Sequence, residues 1–299
     1  MTKRDSERIS AQIASYIASG ARVFLPSPKE TKKLLHAETE CQRARLAEVG
    51  IDSEDPQARL VLSRLLEEIA LDDIESSYLR LLSAKMKRLS MQAFYDNPYL
   101  RAVRVHDMRI GRFFLTEQSY ERGELLQYEM PDLLADPTVL SLGFFDAKVR
   151  FPSIYEGDMP WMSVCPSEIS SMKAPIEKAH GKTLVLGLGL GYYPFMISLR
   201  DEVGEITVVE REKAVISLFE AQILPHFPHK DRICIVCDDA LHYLDAVQDG
   251  DYDFCFADIW EGVHDGAPLY EKIKAHEARL AHIEFSYWIE EQIRAYLAV

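Results

Sequence analysis

Apolar positions change their period twice along this chain. In the first third they recur at helical spacing. Ile9, Ile13, Tyr16 and Ile17 make one stripe. A second helix is expected from about Lys29 to Val49, with Leu34, Leu35 and Leu46 among its apolar positions. Asp52-Ser-Glu-Asp-Pro56 reads as a turn and cap before a third helix, Gln57 to Leu71, and Ser76 to Leu89 gives a fourth. Tyr95-Asp-Asn-Pro98 breaks the pattern. From Arg101 to about Ser163 the runs become short and β-like: Val103 to Val105, Arg112 to Leu115, Leu125 to Tyr128 and Val139 to Val149. Turn signals such as Glu121-Arg-Gly and Asp136-Pro separate them.

The pattern changes again near Glu168, where a helix to Ala179 leads into buried strands alternating with helices. The strands are Leu184-Val-Leu186, Glu205 to Glu210, Arg232 to Cys237 and Tyr252 to Ala257. Helices are expected over Tyr192 to Leu199 and Leu241 to Val247. Such alternation predicts an α/β fold with a parallel sheet. Beyond Gly266 there is neither Gly nor Pro save Pro268, and Leu269, Ile273, Leu280, Ile283, Tyr287, Ile293 and Leu297 recur at helix-like intervals. This predicts one long helix or two abutting ones, and a sheet truncated after its fourth strand. The expected organisation is a helical region over 1–100, a β-rich connector over 101–165 and a Rossmann-like doubly wound domain over 166–299.

Candidate chemistry gathers in that last part. Residues 182–193 read KTLVLGLGLGYY. Gly187, Gly189 and Gly191 give G-x-G-x-G between a strand and a helix. This arrangement brings backbone N–H groups against a nucleotide-like ligand. The next strand ends in Glu210, 19 residues after Gly191, where a carboxylate can accept hydrogen bonds from both ribose hydroxyls. Dinucleotide binding would require glycine at 192 or 194, which are Tyr192 and Pro194. No Gly-Lys-Ser/Thr follows, so a P-loop is excluded. An S-adenosyl compound remains, beside the plainer reading of a tight turn without a ligand. Three successive strands end in Glu210, Asp238/Asp239 and Asp258. Ligands in open α/β sheets bind at such strand ends, so these acids should converge on one crevice.

On these residues the chain resembles the class I S-adenosylmethionine-dependent methyltransferases, and within them the spermidine-synthase-like branch, over about Glu168 to Trp260. The resemblance implies S-adenosylmethionine as cofactor. Gly187, Gly189 and Gly191, with Tyr192 after them, would hold its methionine portion and Glu210 its ribose. Asp239 and Ala240, with Asp238 beside them, would hold the adenine amino group. Val185 stands where many methyltransferases carry an acid, as is usual in the spermidine-synthase branch. Asp258 matches that branch's catalytic Asp, whereas Ile259, Trp260 and Glu261 depart from the Asp and Pro that follow it. Trp161, Tyr192, Tyr193 and Trp260 could wall a pocket for a cationic group, or simply pack.

Charge and cysteine usage narrow the partners. The 299 residues carry net charge −14. Residues 181–299 hold 10 Lys/Arg against 21 Asp/Glu, and residues 1–180 hold 24 against 27. No basic face for nucleic acid is evident. The segment Met1 to Ser10 lacks the apolar core of a signal peptide, and no apolar run reads as a membrane span. Five cysteines, an odd number, fit a reducing cytoplasm. Cys234 and Cys237 form a C-x-x-C on a strand, where positions three apart face opposite sides. They are expected as core residues, and no metal site is expected. Three functions stand: methyl transfer to a small-molecule or protein acceptor, polyamine-synthase-like alkyl transfer, and a non-catalytic sensor or scaffold. An apolar fourth strand at the sheet edge would need a cover, such as the C-terminal helix, the connector or a second subunit in a homodimer.

Overall fold

The computed structural model describes residues 2–19, 47–48, 55–69 and 75–298. Most of the helix expected over Lys29 to Val49, and residues 52–54 of the expected turn, lie outside the described residues. The chain forms two compact units, Met1–Phe94 with Ser119–Val149, and Tyr95–Gln118 with Arg150–Val299.

Among the described residues three helices open the first unit: α1 (Lys3–Ala18), α2 (Pro56–Glu68) and α3 (Ser76–Lys85). The first is capped by Thr2, whose side chain accepts from the Asp5 N–H while Asp5 answers the Thr2 backbone. Asp55 caps α2 by accepting from the Gln57 N–H at 2.8 Å. The expected stripe is buried, with Ile9 and Ile13 packed against Val61, Leu62, Leu65 and Tyr78. Seven short strands follow in chain order: β1 (Lys87–Arg88), β2 (Met108–Ile110), β3 (Phe113–Tyr120), β4 (Leu126–Gln127), β5 (Leu142–Phe144), β6 (Val149–Glu156) and β7 (Met159–Ser163). Strands β1, β5 and β4 make a small sheet in the first unit, and the order β2-β3-β6-β7 makes a four-stranded antiparallel sheet. The run Val103 to Val105 is not a strand, because the Val103 N–H closes the helix Pro98–Ala102 on the Tyr99 carbonyl.

The second unit carries a mixed α/β structure on a five-stranded parallel sheet. Its strands are β8 (Gly181–Leu186), β9 (Val203–Glu210), β10 (Ile233–Cys237), β11 (Phe254–Ala257) and β12 (Glu284–Tyr287), in the order β10-β9-β8-β11-β12. Its helices include α4 (Tyr192–Ser198), α5 (Lys213–Gln222), α6 (Ala240–Ala246), α7 (Val263–Lys274) and α8 (Glu290–Leu297). This topology is consistent with a Rossmann-like fold. The chain reverses direction across the sheet between β8 and β11, the place where such sheets open a crevice.

The fifth strand corrects the expected truncation. Residues Ala267 to Val299 do not make one long helix: α7 ends at Lys274, β12 follows, and α8 closes the segment. Strand β11 is therefore interior, with Phe254 to Ala257 paired to β8 on one side and to β12 on the other. Leu280, Ile283 and Tyr287 are buried outside any helix, so their spacing marks a buried face rather than a helix. The reversal into α8 is made at Ile289, at φ +48°, a conformation that costs a β-branched residue energy and ends the strand. The two C-x-x-C cysteines also differ from expectation. Cys234 and Cys237 are exposed on β10, the sheet's edge strand, and are not core residues. Among the described residues no helix is long and apolar enough to cross a membrane.

Candidate functional site

The glycine loop is pinned from behind before it meets anything else. Gly187, Gly189 and Gly191 all take positive φ, at +101°, +51° and +67°, which a side chain would resist. The Tyr99 hydroxyl, fully buried, donates to the Leu190 carbonyl at 2.6 Å. Asn97 donates to the Tyr192 hydroxyl at 2.9 Å. Both come from the segment 95–118 and fix the loop to the start of α4. Their role was invisible in the sequence, because nothing local links residues 97–99 to a loop 90 positions onward.

The loop opens onto a cavity of about 260 Å³. Gly187, Leu188 and Gly189 form its floor, and Val209, Glu210 and Arg211 line it from the end of β9. Asp239, Ala240 and Leu241 contribute from the start of α6. Asp258, Ile259, Trp260 and Glu261 follow β11, with Asp265 and Leu269 from α7 and Trp161 and Met162 from β7. Five carboxylates therefore share this wall with one guanidinium. That balance suits a cationic or hydroxyl-rich ligand and opposes a phosphate.

The predicted residues divide in two groups. Gly187, Gly189, Glu210, Asp239, Ala240 and Asp258 are brought together around this cavity. Gly191, Tyr192 and Asp238 do not line it. A Cβ on Gly191 would lie 2.2 Å from Cε2 of Phe219, so this glycine serves helix packing. Tyr192 packs edge-on against Tyr99. The Asp238 carboxylate turns outward to Nδ1 of His242 at 2.9 Å, which holds it below its ordinary range. Of the four aromatics, Trp161 and Trp260 reach the cavity. Tyr193 instead stacks on Phe256 at 4.0 Å between ring centres and donates to the Pro175 carbonyl.

Glu210 is set where the sheet and the loop meet. One carboxylate oxygen accepts from the Leu188 N–H at 3.2 Å, the other from the Glu212 N–H at 2.8 Å. Burial raises its pKa, and those two N–H donors oppose the rise. Each oxygen keeps acceptor capacity toward the cavity. Asp239 is the N-cap of α6, accepting from the Leu241 and His242 N–H groups through Oδ1.

Asp258 follows the last residue of β11. Burial holds its carboxyl well above the ordinary range, and the nearby Glu168 carboxyl adds to the effect. Burial pushes Glu168 itself up to about 7. The shift favours the protonated form, which can donate a hydrogen bond. The Trp260 indole N–H, beside it, is buried without a hydrogen-bond partner among the described residues. Buried donors normally have an acceptor, and this one lies on the cavity wall, where a bound molecule could supply it.

These groups meet the demands of an S-adenosyl compound unevenly. Its adenosine end fits the hydroxyl and amino acceptors Glu210 and Asp239 and the apolar Val209 and Leu241. At the loop itself the fit is different. A Cβ on Gly189 would lie 2.0 Å from Sδ of Met162, and the Leu190 N–H points at that sulfur at 3.2 Å. The space that glycine frees is taken by the protein's own thioether. Sequence reasoning stopped at Trp161 and missed Met162, because its approach to the loop comes from the pairing of β7 with β6. Among the described residues no cluster of three or more His, Cys, Asp or Glu side chains could hold a metal ion.

No family model matches the chain, and no curated protein matches it. Solved structures give partial matches. A spermidine synthase crystallised with the transition-state analogue AdoDATO is 14% identical, with TM-score 0.39, covering 51% of this chain and 61% of that one. The Thermotoga maritima spermidine synthase is 13% identical, with TM-score 0.36, covering 47% and 52%. Precorrin 8W decarboxylase from Methanobacterium thermoautotrophicum is 19% identical, with TM-score 0.30, covering 42% and 64%. In each case less than two thirds of the other protein is matched. Scores this low establish neither a shared family nor a shared activity.

Proposed function

We propose that this protein binds an S-adenosyl nucleoside in the cavity at the β8–β11 crevice and transfers its methyl group to a small-molecule or protein acceptor. The observation that carries the reading is Glu210: a buried carboxylate, held by the Leu188 and Glu212 N–H groups, that shares one cavity with Gly187, Gly189, Asp239 and Asp258. Bound S-adenosylmethionine would supply an electrophilic methyl. The chain's own task is to hold an acceptor in line with it, and positioning alone can supply much of the rate. Trp161, Trp260 and Leu269 give an apolar wall for the acceptor side. Asp258 orients the acceptor by hydrogen bonding. Burial and the nearby Glu168 carboxyl raise its pKa, which makes its carboxylate form a stronger base toward the acceptor's proton.

A second reading, a sensor that binds the nucleoside without turnover, is favoured by that same upward shift, which disfavours the ionised form that a general base needs. Small amines, carboxylates and protein extracts screened for methyl uptake, and any hit repeated with Asp258→Asn, separate the two. The enzyme reading expects roughly a 10²–10⁴-fold loss of turnover in the variant with cofactor binding retained. Confirmed nucleoside binding without uptake by any acceptor class favours the sensor.

A further inference from the structure

The contact between Met162 and the glycine loop bears on which nucleoside the cavity takes. Met162 stands on β7, the edge strand of the four-stranded sheet. Its Sδ receives the Leu190 N–H, and its Sδ and Cε occupy the place of the absent Gly189 side chain, at 2.0 and 2.5 Å from where a Cβ would be. Its backbone is held: the Ser153 hydroxyl bonds the Met162 carbonyl at 3.0 Å and the Ser163 hydroxyl at 2.7 Å, and Ser163 lies 2.9 Å from Gln118. Methionine has three rotatable side-chain bonds and adapts readily to a new neighbour. The adenosine-facing residues Glu210 and Asp239 lie on other elements and do not depend on its position.

Resting on the S-adenosyl reading of this cavity, we propose that Met162 is a gate on the glycine loop, selecting ligands by their tail. With the thioether docked on Leu190, the cavity admits a nucleoside and excludes an amino-acid tail from the loop. A tail-bearing ligand binds only by rotating Met162 away and giving up the sulfur contact. The residue thereby sets the preference between bare adenosine and its amino-acid-bearing thioethers.

The test is calorimetric titration of adenosine and of S-adenosylhomocysteine into the full chain, wild type, Met162→Ala and Met162→Leu. In parallel, the Met162 methyl signal is followed in protein labelled with [ε-¹³C]methionine and assigned by its loss in Met162→Leu. Removing the gate should tighten S-adenosylhomocysteine about fivefold to tenfold, the worth of one modest hydrogen bond and its packing, and move adenosine by less than about twofold. Met162→Leu retains volume and loses the acceptor, so its gain should be smaller. The wild-type methyl signal should shift with S-adenosylhomocysteine and not with adenosine. Unchanged or weaker S-adenosylhomocysteine binding in Met162→Ala, with adenosine still bound, overturns the gate and leaves the cavity's ligand class standing. No binding of either ligand by any form overturns the S-adenosyl reading, and the gate with it.

Discussion

The main-chain oxygen of Asp258 lies 2.0 Å from the point where a Cβ on Gly187 would stand. The end of β11 can therefore butt against the glycine loop only because residue 187 has no side chain. Asp258 reaches the cavity through that contact. Gly187→Ala must relieve both a φ of +101° and a clash with backbone that cannot rotate away. The substitution should cost about 2–4 kcal/mol, read as a lowered thermal midpoint. An unchanged midpoint would mean that β11 and the loop are not packed as described.

Tyr99 offers a second check on how the loop is held. Its hydroxyl is buried and donates to the Leu190 carbonyl. Tyr99→Phe keeps the ring between Tyr192 and Phe195 and leaves that carbonyl without its donor. A loss of about 1–2 kcal/mol is expected in denaturant unfolding. Amide exchange should quicken at Leu190 and Gly191 and stay unchanged in β9.

Much of this site was legible in the sequence, and the reasons are specific. Gly187, Gly189, Glu210, Asp239 and Asp258 sit at strand ends, and strand ends in a parallel sheet share one rim. Their convergence follows from order alone. Gly191 was legible as a glycine that the backbone needs, but not as one packed on Phe219, since the glycine pattern cannot say what approaches from outside. The four residues of β12 were lost because they are too few to show an alternating pattern between two helices. Met162, Tyr99 and Asn97 reach the loop through tertiary contacts spanning 28 to 95 positions, and no local signal encodes such a contact.

The carboxyls of Glu168 and Asp258 make stability depend on pH in a defined direction. Glu168 is raised from 4.5 to about 7, so the folded state binds a proton that the unfolded chain has already released. This contribution is fully present below about pH 4.5 and is lost as pH rises to about 7. Asp258 acts with the same sign. Glu168→Gln removes the penalty of charging that site. The variant should be more stable than wild type at pH 8, by about 2–3 kcal/mol at most, and similar to it at pH 4.5. Thermal melts at both values decide the matter. A variant that gains nothing at pH 8 would show that Glu168 is charged and solvated.

The central claim is that Glu210 holds the ribose of an S-adenosyl ligand at the C-terminal end of β9. Titration calorimetry of wild type and Glu210→Ala with S-adenosylmethionine, S-adenosylhomocysteine and the decarboxylated form tests it most directly. Wild type should give saturable heat with at least one of the three. Loss of two charge-assisted hydrogen bonds should weaken that binding by about 2–4 kcal/mol in the variant, with its fold intact by circular dichroism. No heat from wild type with any of the three, or equal binding by Glu210→Ala, would contradict the claim.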